Sequence, residues 1–208
     1  MNFDKYEVPF RDYNQIRKIS EEFLYTNGWN GEVPVPIEEI AEFELDLYIR
    51  DIPNLEEEIE TVGFLSNNMK TIWVDKKVYD YQEYRLRFTI AHEIGHIVLH
   101  KDLYANVSFS SIEEWKETVL SFDSRQYRFL ESQANNFAGL ALIPTNQLRD
   151  EHEKAVKMYT NEGFDEEDLK NSETVVEYLA TWLARKFNVS KHAMKIRLKK
   201  EGLVENNI

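Results

Sequence analysis

The stretch from Arg87 to His100, RFTIAHEIGHIVLH, carries three of the chain's five histidines. Within it, His92-Glu93-Ile94-Gly95-His96 has the form H-E-x-x-H. Four residues make about one helical turn, so on a helix both imidazoles leave one face and can share a small cation. Zinc suits such a pair, because it accepts imidazole nitrogen and polarises a carbonyl. Glu93 is one step round from His92, beside such an ion rather than on it. There it can take a proton from a water that the ion polarises and later hand it to a leaving amine. The chemistry indicated is amide hydrolysis.

Five letters occur by chance in unrelated helices, and the alternative is a buried helix whose histidines bond to backbone carbonyls. The context favours the metal. Ile90, Ala91, Ile94, Ile97, Val98 and Leu99 make the segment apolar round most of its circumference, so burial is expected. Two histidines and a glutamate in such a helix need partners, and one ion satisfies both imidazoles.

A catalytic zinc needs a third protein donor. The longer pattern H-E-x-x-H-x-x-G-x-x-H does not apply, because Leu99 and Asp102 stand where it requires glycine and histidine. His100 lies two turns from His92, too far along the axis to share a tetrahedral ion, and reads as a capping or packing residue. Downstream acids are Glu113, Glu114, Glu117, Asp123 and Glu131. The first three sit in a polar stretch. Glu131 lies among Phe129, Leu130, Ala134, Phe137, Ala138 and Leu140, where a carboxylate needs a strong partner: a metal, or else Arg128 on the helix surface. Asn135, one turn on, is placed to orient a histidine donor.

The elements that must hold these residues are legible in outline. Ile16, Ile19, Phe23 and Leu24 predict a helix over 13–27 with a stop at Asn27-Gly28. An extended GEVPVP follows, then a short helix near 37–43 and a strand from the alternating LDLYI at 45–49. Two apolar runs around Asn67-Asn68 predict a β-hairpin over 62–75. Helices are expected over 82–100 and 128–144, the second ended by Pro144. The stretch 103–124 has no clear period. The acidic NEGFDEED at 161–168 interrupts the chain before a helix through Val175–Phe187 and a second helix capped by Ser190.

Hydrophobic residues make up 42% of 208, with 12 Phe, 11 Tyr and 4 Trp, enough for a sizeable core and unlike a disordered chain. The absence of cysteine excludes a disulfide framework, a thiol nucleophile and a Cys-type zinc site. The opening MNFDKYEVPF lacks the basic and apolar regions of a signal peptide, and no apolar run approaches the ~20 residues of a membrane span. A cytoplasmic protein without membrane association is therefore expected.

Taken together, RFTIAHEIGHIVLH, ESQANNFAGLALIP (131–144), VPVPIEEIAEFELDLYI and GFLSNNMKTIWVD resemble the ImmA/IrrE family of zinc metallopeptidases, over roughly residues 15–145. LALIP stands where the family more often has a run like LLMP. The resemblance implies an α+β fold, with a small twisted sheet packed on helices in a zincin-like core (1–145), and then a helical C-terminal region (146–208). It implies Zn2+ held by His92, His96 and Glu131, with Glu93 as general base. It also implies an edge strand, for which the 62–75 hairpin is the candidate, that aligns the substrate backbone. The family's usual task is to cleave a helix-turn-helix repressor and so release transcription, and such a repressor is the expected partner.

The C-terminal LATWLARKFNVSKHAMKIRLKK (179–200) itself looks like a helix-turn-helix, with Arg185, Lys186, Lys191, Lys195, Arg197, Lys199 and Lys200 meeting no acid before Glu201. A DNA-binding regulator with a degenerate metal site is the alternative function. A net charge of −13 opposes nucleic acid over most of the surface and favours a packing or protein-docking role for the tail. His192 is expected to be exposed, and His152 has no partner pattern.

Overall fold

The computed structural model describes residues 7–104, 109 and 111–205. Asp12 opens helix α1 (Tyr13–Thr26) with a capping box shared with Gln15, which satisfies two amides that the first turn would leave bare. Ile16, Phe23 and Leu24 line its buried face, and Gly28, at φ +74°, turns the chain off its end. Helix α2 (Ile37–Glu39) runs into a π-helical turn, Ile40–Glu44, and then strand β1 (Tyr48–Ile52). The strand thus starts three residues later than the alternation at 45–49 suggests. The amides of Leu45 and Leu47 are spent on the carbonyls of Ile40 and Ala41, and Asp46 is left-handed at φ +54°, so ladder pairing begins only at Tyr48.

After α3 (Leu55–Ile59) come β2 (Gly63–Leu65) and β3 (Thr71–Asp75), the hairpin expected around Asn67-Asn68. β1 pairs parallel with β3 and β2 antiparallel with it, so the order β1-β3-β2 leaves β2 at an edge. Asp75 caps α4 (Lys76–Tyr81) by accepting the amides of Lys77 and Val78. Then follow α5 (Glu83–Leu99), α6 (Lys101–Tyr104), α7 (Ile112–Leu120) and α8 (Ser124–Leu142). The aperiodic 103–124 therefore contains the end of one short helix and the whole of another.

Among the described elements, α5 packs most extensively on α8, and Gly95 makes the close approach possible. A Cβ placed there would stand 3.2 Å from both the Cα of Ala134 and the ring of Phe137. With no side chain at that point the two backbones approach closely. Arg87, buried at the start of α5, fixes the helix axially: it donates to Glu38 Oε2 at 2.7 Å, to the Val35 carbonyl at 2.6 Å and to the Asn188 carbonyl at 3.1 Å.

Pro144 separates α8 from α9 (Thr145–Asn161), which is followed by α10 (Glu166–Asn171), α11 (Glu173–Phe187) and α12 (Lys191–Lys200). Asn188, left-handed at φ +53°, turns α11 into α12, and Ser190 caps α12 through the Ala193 amide as its sequence position suggests. Leu148, Val176, Leu183, Phe187, Met194 and Leu198 join the same apolar cluster as Ile16, Ile72, Ile94 and Phe137. The whole is an α+β fold: a small mixed sheet on one side of a helical body whose last helices share its core. No helix of the described residues is long and apolar enough to cross a membrane.

Candidate metal centre

Helix α5 delivers His92 and His96 one turn apart, and α8, drawn in by Gly95, delivers Glu131 opposite them. The Nε2 atoms of the two histidines lie 3.0 Å apart. Glu131 Oε2 is 3.3 Å from His92 Nε2, and its Oε1 is 3.5 Å from His96 Nε2. An ion held at about 2.0–2.1 Å by three corners of a tetrahedron sets those corners about 3.3–3.4 Å apart. The donor set fits a metal. Of the described residues, these three are the group of His, Asp and Glu side chains so arranged. Glu131 turns to the histidines, and Arg128 makes no ion pair with it among the described residues.

The surroundings favour that state. His92 Nδ1 stands 3.0 Å from Asn135 Oδ1, an acceptor, so Nδ1 carries the hydrogen and Nε2 offers a lone pair to the cluster. Asn135 thus sits where the sequence places it. Tyr127 lines the same cavity as Glu131, and burial, together with the Glu131 charge, pushes its hydroxyl up. Burial alone would raise the Glu131 carboxyl, but in the absence of an ion the two imidazoles facing it, once protonated at Nε2, donate to it and hold it well below the ordinary carboxylate range. Burial lowers the His92 imidazole, yet Glu131 and Glu93 outweigh it and carry it up to about 8. The cluster attracts positive charge.

Glu93 is buried beside this group, and the site opens into a cavity of about 70 Å³ bounded by Gly63 and Phe64 of β2 and by Tyr104. Burial pushes its carboxyl up, and the two histidines only partly offset the rise. Gly63 and Phe64 line the same cavity as Glu93, so the edge strand borders the site. On its other side the centre borders a groove of about 1320 Å³ between α5, α8 and α12, lined in part by Glu131 and Asn135.

Other candidates lie elsewhere. Glu113, Glu114 and Glu117 are exposed on α7, and Asp123 caps α8 through the amides of Arg125 and Gln126. His100 does cap α5, donating its amide to the His96 carbonyl, but its ring is also buried against His96 Nδ1 at 3.1 Å. Its spacing from His96 carried that signal; Gln133, Tyr104 and Tyr127, which also crowd the site, carried none. His192 is exposed, whereas His152 is buried with Nε2 unpartnered.

The basic tail is largely occupied. Lys191 and Lys195 both pair with Glu177, Lys186 reaches Glu151 at 3.8 Å, and Lys200 bonds Asn136. Arg197 is buried, with Glu201 at 2.6 Å and the Ile143 carbonyl at 2.9 Å.

A family model, Peptidase_M78, described as the IrrE N-terminal-like domain, matches residues 44–199. No curated protein matches the chain. A solved Mycobacterium tuberculosis transcriptional regulator shares the fold at a TM-score of 0.53 and 15% identity, over 89% of this chain and 46% of that one. The present chain thus spans just under half the length of that structure.

Proposed function

The chain belongs to the IrrE N-terminal-like peptidase family, Peptidase_M78, and from that premise we propose that it is a zinc endopeptidase whose substrate is a helix-turn-helix repressor. The observation that carries the catalytic reading is the convergence of His92, His96 and Glu131 donors at 3.0–3.5 Å beside a buried Glu93. His92, His96 and Glu131 hold the ion. Zinc, once bound, polarises the scissile carbonyl and makes a water acidic near neutral pH.

Glu93 receives the proton of the attacking water on a carboxylate oxygen and delivers it to the leaving nitrogen. A carboxyl raised by burial suits both halves of that transfer, because it holds a proton more readily than an exposed glutamate. Asn135 keeps His92 in place. The substrate main chain lies along β2, as an added strand on its free edge, with its scissile bond beside the cavity that Gly63, Phe64 and Glu93 line.

The repressor as substrate rests on the resemblance of the motif set to ImmA/IrrE proteins. The occupied cations of α11 and α12, on a chain of net charge −13, support packing rather than DNA binding for the tail. The test is incubation of the zinc-loaded chain with the helix-turn-helix repressors of its own genome, beginning with any encoded near its gene, with products read by mass spectrometry. One defined cut that Glu93→Gln abolishes is expected; an intact repressor, or a cut that persists in Glu93→Gln, contradicts the proposal.

A further inference from the structure

Behind His96 runs a chain of buried groups whose polarity can be read from its far end. Gln133 donates from Nε2 to the Pro9 carbonyl at 2.9 Å. A carbonyl only accepts, so the amide is oriented with Oε1 facing back into the protein, where Arg11 also donates to it at 3.4 Å. That oxygen lies 3.3 Å from His100 Nε2. Since oxygen Oε1 cannot donate, the hydrogen is on His100 Nε2. A neutral imidazole has one donor and one acceptor, so His100 Nδ1 is the acceptor. It lies 3.1 Å from His96 Nδ1, which must therefore carry a hydrogen. His96 Nε2, the atom facing His92 and Glu131, is left with a bare lone pair.

We propose that His100 is a positioning residue that, with Gln133 and the Pro9 carbonyl, locks His96 in the tautomer able to bind the ion. The proposal rests on the reading of His92, His96 and Glu131 as metal ligands. It gives His100 a role that neither capping nor packing requires. His92 is locked by Asn135 from its own side, and His96 by a relay that ends in the segment before α1. The Val8 amide, donating to Gln126 Oε1 at 2.8 Å, ties that segment to α8. Both ligand histidines are thus held by side chains of α8, His92 directly by Asn135 and His96 from Gln133 through one intervening side chain, His100.

The test is zinc affinity, measured on the full chain by competition with a chromophoric chelator, for wild type, His100→Gln, His100→Phe and Gln133→Met. Gln at position 100 keeps an acceptor for His96 Nδ1 and a donor for Gln133, whereas Phe fills the volume and offers neither. His100→Gln is expected within a few-fold of wild type, with His100→Phe and Gln133→Met weaker by roughly 10–100-fold. Phe equal to or better than Gln, in folded protein, overturns the proposal, because that is the order packing alone would give. Nitrogen-15 NMR of the metal-free wild type at alkaline pH reads the tautomer directly. Protonated Nδ1 with bare Nε2 at His96 supports the relay even should zinc fail to bind; bare Nδ1 overturns it even should zinc bind tightly.

Discussion

Glu93 acts in this account without touching the ion, and that separates it experimentally from its neighbours. Glu93→Gln keeps shape and burial but cannot accept a proton, so zinc should stay bound while cleavage falls by about 10²–10⁴-fold. Equal loss of zinc and activity in that variant would place Glu93 among the ligands instead. Asn135→Leu should weaken zinc by about 10–100-fold and leave the fold intact, read by chelator competition and circular dichroism. The convergence of the candidate ligands was legible in sequence because each was a polar group in an apolar setting: His92 and His96 on a greasy helix, Glu131 among Leu130, Ala134 and Phe137. His100 was visible only as a spacing. Its partner Gln133 belongs to α8 and its relay ends at Pro9, contacts across 33 and 124 residues of sequence that no local pattern encodes.

At the level of elements, the approach of α5 to α8 decides whether the three donors meet. Gly95→Ala places a methyl 3.2 Å from the Ala134 backbone, which cannot rotate away. Overpacking of this kind costs about 1–3 kcal/mol. The variant should unfold at lower denaturant and bind zinc less well, because Glu131 moves with α8; unchanged values for both would show that the helices have slack. Helices α1, α5, α8, α11 and α12 follow from apolar spacing and cap residues in the sequence. α9 was harder to see. Its buried positions are Thr145, Leu148, Glu151, His152 and Ala155, three of the five polar, so the apolar period is masked. β1 slipped because two amides that alternation assigns to a strand are taken by the preceding π turn.

Across the whole molecule, the last helix is tied to the first and to the body by one buried carboxylate. Glu201 meets Arg197 at 2.6 Å, Arg17 at 2.9 Å and Arg149 at 3.3 Å. Burial would raise its carboxyl, but Arg197 and the other two guanidiniums bring it below the ordinary value. A carboxyl lowered in the fold adds stability above its unfolded pKa, about 4.3, and loses it as pH falls through the folded value. Wild type should therefore exceed Glu201→Gln in urea midpoint near neutrality, and the two should converge below about pH 4. A constant gap down to low pH would remove Glu201 from the account. This knot also occupies the basic tail: Arg197 points inward, and Glu177 of α11 pairs with Lys191 and Lys195, in line with the packing role that the net charge favours.

In the proposed enzyme, His92, His96 and Glu131 hold zinc while Glu93 is left free to move protons. Elemental analysis of purified wild type, Glu131→Ala and Glu93→Gln tests it most directly. About one zinc per chain in wild type and Glu93→Gln, with loss in Glu131→Ala, is the predicted result. A wild-type chain that takes up no zinc when it is supplied, or a Glu131→Ala chain that keeps it, would contradict the claim.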